Sequence, residues 1–460
     1  MTAGASPDRN LVVAIICLGS FLSPMSMASF TVAIPAMAAE LRADAVSVSL
    51  LPTVFLLSSV ALMLPCAKLA DNLGRKRVYT LGIALNACAS LAAFAAPDVE
   101  WILLLRFIQG AGSAMIFSTS LAIITAVFPA SERGLPMGLN TAAVYLGLTV
   151  APALGGLITD SFGWRAVFLL PVPFSAMLLA VISSRMPGEW RHERYSPFDW
   201  TGAIIFASWS VALVVGLTGL PAWPGVLALL LSLCLFALFI WQQSHHGEPL
   251  IRVQLFRENR VFSFSLATAW LMYASTYSLT FLLSLYLQYV RGLTALEAGQ
   301  VILVQAIAMA MLAPVAGRLS DSVQPRILCT LGCLCCAAGF ALLSRVDFDT
   351  PTSYIVTSQF IMGIGFGLFS TPNNNAVMSA VHSRDIGVAS ATVNLARVSG
   401  NLVGISLVNL LVQQLLGDRA IEADHYPALL TTVNVAMTFS LGLALVASVV
   451  SASRGRPATH

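Results

Sequence analysis

Long apolar runs broken by short charged segments repeat along the whole chain. Fourteen stand at 11–38, 47–70, 79–96, 101–128, 135–158, 165–186, 201–219, 222–242, 261–289, 297–319, 325–344, 353–379, 386–415 and 428–452. A helix needs about 20 apolar residues to cross a hydrocarbon core of about 30 Å, and these runs are of that order. The pattern predicts an all-α membrane protein with fourteen transmembrane helices. Pro221 and Trp223 sit in the very short connection between the seventh and eighth runs. Composition agrees with a membrane: 57% of the 460 residues are hydrophobic and 10% are charged, against about 25% charged in a soluble domain.

The two halves of the chain match. Arg106-Phe-Ile-Gln109-Gly110-Ala-Gly112 recurs as Gln359-Phe-Ile-Met362-Gly363-Ile-Gly365, Ala67-Lys68-Leu-Ala-Asp71 as Gly317-Arg318-Leu-Ser-Asp321, and Gly147-Leu-Thr-Val-Ala151 as Gly400-Asn-Leu-Val-Gly404. The offsets are 253, 250 and 253 residues, in the same order. A duplicated bundle of apolar helices marks a secondary transporter, whose halves rock about a central site. The chain therefore divides into an N-terminal six-helix bundle at 1–187, a two-helix insertion with its flanking loops at 188–260, and a C-terminal six-helix bundle at 261–460.

Orientation follows from Lys and Arg. With fourteen spans, the loops on the side of the termini hold 17 of these residues and the opposite loops hold 5; Arg106 and Arg397 lie inside spans. The bias places both termini in the cytoplasm. The first run leads into a second span, which argues against a cleavable signal peptide. The net charge of +3 mostly reflects the same bias, so no nucleic acid partner is expected.

Eight cysteines lie in or at the ends of apolar runs, and Cys333-Leu-Cys335-Cys336 lacks zinc-ligand spacing. They read as small buried hydrophobes, and no metal site or cofactor is expected. No phosphate-binding Gly-x-x-x-x-Gly-Lys-Ser/Thr is present. Uphill transport must draw on an ion gradient or a partner protein. A membrane enzyme or sensor would need a His/Asp/Glu cluster or a soluble effector domain, and neither is evident.

Several polar residues need explanation in an apolar chain. Asp71 stands at a helix C-terminus, where a carboxylate opposes the dipole unless it has another partner; the N-terminus of the thirteenth helix near Ile386 is a candidate. Arg106 costs about 2.5–3.5 kcal/mol at a membrane centre, and Gln109 shares its face. Small residues at Gly147, Ala151 and Gly155, four apart, let another helix approach closely, while Pro152 removes a backbone hydrogen bond. In the second half Asn373, Asn374 and Asn375 follow Pro372, and Asn394, Arg397 and Asn401 share one helix face. These groups either bind substrate or tie helices together. Phe21, Met25, Met27, Phe30, Tyr145, Trp270, Tyr273, Tyr277 and Tyr286 are candidates for the lining of a permissive cavity.

These residues carry a resemblance. Ala67-Lys-Leu-Ala-Asp71-Asn-Leu-Gly74-Arg75-Lys76-Arg77 resembles the loop 2–3 motif of the major facilitator superfamily, and the segment from Arg106 to Gly112 its helix-4 motif. Gly147-Leu-Thr-Val-Ala151-Pro152-Ala-Leu-Gly155-Gly156 is similar to the helix-5 motif of its antiporters, with Ala151 in place of the usual glycine. Phe198-Asp199-Trp200-x-Gly202, Leu287-Gln288-x-x-Arg291-Gly292 and Pro372-Asn373-Asn374 resemble the fourteen-span drug:proton antiporters of the EmrB/QacA type. The resemblance implies a cytoplasmic latch at Asp71, Gly74, Arg75, Lys76 and Arg77, a proton-coupling role for Arg106, and export rather than uptake.

One position departs from the pattern. Where that family carries an aspartate, nine residues before the proline that ends helix 1, this chain has Ser26 before Pro35. Coupling then falls to Asp71, Glu297 or protonation of the substrate itself. A cavity without fixed negative charge prefers neutral, zwitterionic or anionic molecules, with Arg106 and Arg397 as partners. The reading is a proton-coupled exporter of small amphipathic molecules in the cytoplasmic (inner) membrane, working by alternating access. The alternatives are an exporter of one metabolite, such as an amino acid or siderophore, or a facilitator without proton coupling. Whether a periplasmic adaptor takes part is left open by the sequence.

Overall fold

The computed structural model describes residues 8–41, 45–186, 188–190, 197–382, 385–415 and 426–455. Arg42, Arg191, Arg194, Arg384, Arg419 and Arg456, which carry part of the charge bias, lie outside them. The described residues form helices and no strands. They are α1 (Arg9–Leu41), α2 (Ala45–Leu73), α3 (Arg75–Phe94), α4 (Val99–Val127), α5 (Gly134–Phe162), α6 (Pro171–Arg185), α7 (Trp200–Thr218) and α8 (Trp223–His245). Then follow the short α9 (Val253–Glu258), α10 (Arg260–Leu285), α11 (Ala295–Ser322), α12 (Pro325–Leu343), α13 (Thr352–Ser379), α14 (Ile386–Leu415) and α15 (Tyr426–Ser453).

Among the described residues, thirteen helices are long and apolar enough to cross a membrane, so this is a multi-pass membrane protein. The fourteenth long helix, α10, has 26 residues and carries serine or threonine at 263, 265, 268, 275 and 276. Of these, Ser265, Thr268, Ser275 and Thr276 are buried, so their hydroxyls lie inside the protein. Its last turn widens, with Arg291 N donating to Tyr286 O at 3.0 Å. The residues at 201–242 form two separate helices of 19 and 23 residues. Large apolar side chains such as Leu157, Phe162, Leu233 and Met311 point outward, as a lipid-facing surface requires.

The chain falls into two compact units. One comprises Met1–Val214, Leu231–Val253 and Val381–Asn394; the other comprises Val215–Leu230, Gln254–Ala380 and Leu395–His460. In the first, α1 packs along α5, α2 and α3 pack along α4, and α3 lies beside α6. In the second, α11 and α12 pack along α13, and α10 and α12 along α15. The repeat in sequence is a repeat in geometry. A Cβ on Gly112 would lie 2.7 Å from Gly82 O, and one on Gly365 2.7 Å from Gly332 O. Likewise Gly110 abuts Phe55 O and Gly363 abuts Gln305 O. Backbones this close admit only glycine, which is why the motif recurs.

The far end of α1 is anchored in the first unit. Trp164 Nε1 donates to Glu40 Oε2 at 2.7 Å, and Arg165 pairs with the same carboxylate. The Arg165 bond, with that of Trp164, holds the Glu40 carboxyl below its usual range.

Candidate functional site

Among the described residues Arg106 and Arg454 are the largest fully buried side chains. Arg106 sits on α4 in a polar cluster built by four helices of the first unit. Arg106 Nη1 donates to Gln109 Oε1 at 3.1 Å and to Ser26 O at 3.4 Å. Gln109 Nε2 passes the chain to Ser90 Oγ on α3 at 2.8 Å. Asn86 Nδ2 donates to Gln109 O at 3.4 Å, and Ser26 Oγ reaches Leu22 O at 2.9 Å and Asn86 Oδ1 at 3.5 Å. Phe30 and Phe55 add ring contacts to the guanidinium, with centroids at 4.3 and 4.7 Å. Among the described residues no carboxylate pairs with Arg106, and its Nε and Nη2 have no hydrogen-bond partner. The matching Gln359 in the second unit is neutral and buried, and its Nε2 reaches Gln305 Oε1 at 3.5 Å.

Serines continue this polar face of α1. Ser20, Ser23, Ser26 and Ser29 are all buried. Ser20 Oγ donates to Ser120 Oγ at 3.3 Å, and Ser23 bonds Ser113. Ser20 and Ser23 thus face α4, while the backbone of Ser29 lies against Gly155 of α5.

Asp71 and Arg75 form a second centre. Arg75 Nη2 and Nε donate to Asp71 Oδ1 at 2.9 and 3.1 Å, and Nη1 reaches Ala122 O at 3.3 Å. Both side chains are buried. The Asp71 carboxylate also lies against the first turn of α14, since a Cβ on Gly387 would stand 2.5 and 2.6 Å from its two oxygens. Within the first unit, then, the carboxylate that opposes the α2 dipole meets the favourable end of another helix. Gly74, at φ 114°, breaks the chain between α2 and α3 in a conformation that a side chain resists. Glu189 caps α3: its carboxylate accepts from Lys76 N at 2.8 Å and Arg77 N at 3.3 Å, while Arg75 N donates to Trp190 O at 2.8 Å. Sequence reasoning missed Glu189, which lies more than a hundred residues from the helix it caps.

The small residues of α5 face α1. A Cβ on Gly147 would lie 2.5 Å from Phe21 O, and one on Gly155 would press on Ser29 O. Ala151 between them is fully buried, while Pro152 is exposed on the other face and Gly156 is partly buried. In the second unit Gly400 and Gly404 stand in the same way against Trp270 O and Ala274 O, at 2.7 and 2.5 Å. Gly155→Val is expected to destabilise the first unit by about 1–3 kcal/mol, because the added atoms meet backbone that cannot rotate away. Thermal unfolding of the detergent-solubilised protein measures it, and an unchanged midpoint would mean that α1 yields freely.

The second-half polar residues mostly tie helices together. Asn373 Nδ2 donates to Ser265 O at 3.1 Å and Asn375 Nδ2 to Ser320 Oγ at 2.9 Å. Arg454, one residue past α15, is also buried: Nη1 reaches Asn373 Oδ1 and Ser265 Oγ, both at 3.0 Å, and Nη2 reaches Pro325 O at 2.8 Å. The sequence reading counted Arg454 only as a loop charge; here it joins α10, α12 and α13. Asn394 Nδ2 is committed to Phe117 O and Ser390 O, both at 3.0 Å, within the first unit. Arg397 and Asn401 follow on α14, each partly buried.

Glu297 closes a capping box at the start of α11. Thr294 N donates to Glu297 Oε2 at 2.9 Å and Glu297 N to Thr294 Oγ1 at 3.3 Å. Asp199 caps α7 by accepting from Gly202 N at 2.8 Å, and takes Gln243 Nε2 at 2.7 Å. The aromatic set has separate neighbours: Phe30 meets Phe168 in the first unit, and Tyr273 meets Phe366 in the second. Tyr286 hydroxyl donates to Asp347 O, and Trp270 is partly exposed. The side chain of Tyr277 lies outside the described residues.

Comparison with known proteins agrees with this architecture. Residues 16–405 match the family model described as Major Facilitator Superfamily. The chain is 27% identical over 377 residues to the riboflavin transporter RibZ of Clostridioides difficile, covering 81% of this chain and 82% of that protein. It is 30% identical over 364 residues to the methylenomycin A resistance protein of Streptomyces coelicolor, covering 78% and 76%. It is 27% identical over 465 residues to the puromycin resistance protein pur8 of Streptomyces alboniger, covering 97% and 92%. The fold is similar to that of the human organic anion transporter MFSD10, with TM-score 0.66 at 16% identity over 95% of this chain and 100% of that one. It is equally similar to the proton:xylose symporter XylE, with TM-score 0.66 at 13% identity over 96% and 94%. With its repeated all-helical bundles and this match over most of its length, the chain belongs to the Major Facilitator Superfamily of transporters.

Proposed function

We propose that this transporter is a proton-coupled exporter of small amphipathic compounds, of the fourteen-span EmrB/QacA type, in the cytoplasmic membrane. The observation that carries the reading is the buried Arg106 cluster, matched in the repeat by neutral Gln359. A charge held at such cost inside one half only belongs to a site that changes state during transport. Two relatives named as antibiotic resistance proteins support export. In this reading α10 is the remaining span, both termini are cytoplasmic, and the two bundles at 1–187 and 261–460 flank the insertion at 188–260. Asp71, Gly74, Arg75, Lys76 and Arg77 form the latch, and α5 packing through Gly147, Ala151, Pro152, Gly155 and Gly156 sets the export cycle. With Glu297 held in a capping box and serine at position 26, the coupled proton travels on Asp71 or on the substrate.

Everted membrane vesicles test this directly. Amphipathic antibiotics and dyes should accumulate on energisation and leak out when a protonophore is added. Accumulation that ignores the protonophore would remove proton coupling. Reporter fusions after Arg191 and Arg456 should report cytoplasm, and one after Arg419 the outer side; an outer-side signal at Arg456 would sink the fourteen-span model. A second reading, transport of a single metabolite, is favoured by the similarity to a riboflavin transporter. It expects one compound to saturate transport and the rest to be ignored.

A further inference from the structure

We propose that the free side of the Arg106 guanidinium is a binding site for the carboxylate of an amphipathic organic anion. The inference deepens the export reading above, because it takes the bound anion to be cargo. Of the guanidinium nitrogens only Nη1 is engaged, by Gln109 Oε1 and Ser26 O. Nε and Nη2 are buried and unpartnered. Those two nitrogens direct parallel N–H groups to one side, the fork that a planar carboxylate accepts with both oxygens. A buried cation with no ion-pair partner is the least economical arrangement in a protein interior, and it is completed by one negative charge. Among the described residues no carboxylate supplies it: the cluster consists of Ser26, Asn86, Ser90, Gln109 and the rings of Phe30 and Phe55. The site is thus short of one anion and flanked by apolar rings. That combination selects an organic acid with a hydrophobic body over a small inorganic anion. Because the guanidinium is fully buried, the acid reaches it only when the surrounding helices part.

Three ligands with one ring system and different head groups make the test: naphthoate, naphthamide and naphthylmethylamine, titrated onto the full-length protein in lipid nanodiscs. Naphthoate should bind about tenfold or more tighter than the amide, the margin of a charge-assisted hydrogen bond, and the amine should not compete. Arg106→Lys keeps the charge and loses the fork, so it should lose most of that preference. Ser26→Asp places a carboxylate beside the guanidinium and should abolish naphthoate binding, whereas the neutral Ser26→Asn should retain it. Equal binding of acid and amide by the unaltered protein would overturn the proposal. So would an undiminished preference in Arg106→Lys, or unaltered naphthoate binding in Ser26→Asp. Export fails separately. Naphthoate binding without accumulation in everted vesicles would remove the export reading and leave the site. Accumulation of neutral and cationic compounds alone, with no preference for the acid, would remove the site and leave export.

Discussion

Arg106→Met is expected to abolish uphill transport while leaving the melting temperature of the purified protein unchanged or raised. The two halves of that expectation have different causes. The guanidinium gains one good hydrogen bond and two ring contacts, each worth about 1–2 kcal/mol. Against that stands the desolvation of a charge with two nitrogens unpartnered, which costs several kcal/mol. Methionine fills similar volume, keeps contact with Phe30 and Phe55, and removes the charge; the loss is the bond to Gln109 Oε1 and the longer one to Ser26 O. Stability therefore has little to lose, and function has all of it. Arg106→Lys should retain part of the transport, since the charge remains. Proteoliposomes under an imposed pH gradient measure the first half and thermal unfolding the second. Unaltered uphill transport by Arg106→Met would show that the arginine is not part of the machinery. Normal transport loss with a collapsed melting temperature would show that it is a structural residue instead.

The elements that sequence made legible are those whose cause is local. An apolar run long enough to span becomes a helix because its backbone has no other way to satisfy itself in lipid. Gly110 and Gly112 were legible as a repeat of Gly363 and Gly365, because close backbone approach leaves no alternative residue, but their partners Gly82 and Gly332 were not. Of the α1 serines only Ser26 stood out in the sequence; the seam that Ser20 and Ser23 form with Ser120 and Ser113 was illegible, because spacing does not show what a side chain meets. Arg454 was indistinguishable from a topological charge. Only the fold brings Ser265, Pro325 and Asn373 around it. Glu189 was illegible for the same reason: a carboxylate capping α3 from a distant segment leaves no spacing to read. Glu297 shows the reverse: the sequence reading took it as a coupling candidate and passed over Thr294 three residues before it, which makes the pair a capping box. Asn373 could bind substrate or tie helices on sequence alone; its amide is spent on Ser265 and Arg454.

Asp71→Asn and Gly387→Val are expected to slow transport by the same route from opposite sides of one contact. The Asp71 carboxylate takes two bonds from Arg75 and rests against Gly387 at the start of α14. Both charges are almost fully buried. Breaking one partner of such a pair costs about 3–5 kcal/mol, because the other is left uncompensated. Asparagine keeps the shape and gives up the charge that the helix N-terminus favours, while Arg75→Ala removes the guanidinium that pairs with the carboxylate. At Gly387 any side chain meets the carboxylate oxygens, so valine displaces Asp71 without touching its chemistry. All three changes weaken the state in which the contact is formed, and a shift of about 3 kcal/mol moves a two-state equilibrium more than a hundredfold. Turnover that needs both states should then fall at least tenfold, with ligand affinity at Arg106 preserved. Transport assays on the three variants, paired with naphthoate titration, distinguish the cases. Parallel loss of turnover with intact binding supports a latch at Asp71. Full turnover in Gly387→Val would separate Asp71 from α14 and reduce the basic cluster after Gly74 to a marker of membrane orientation.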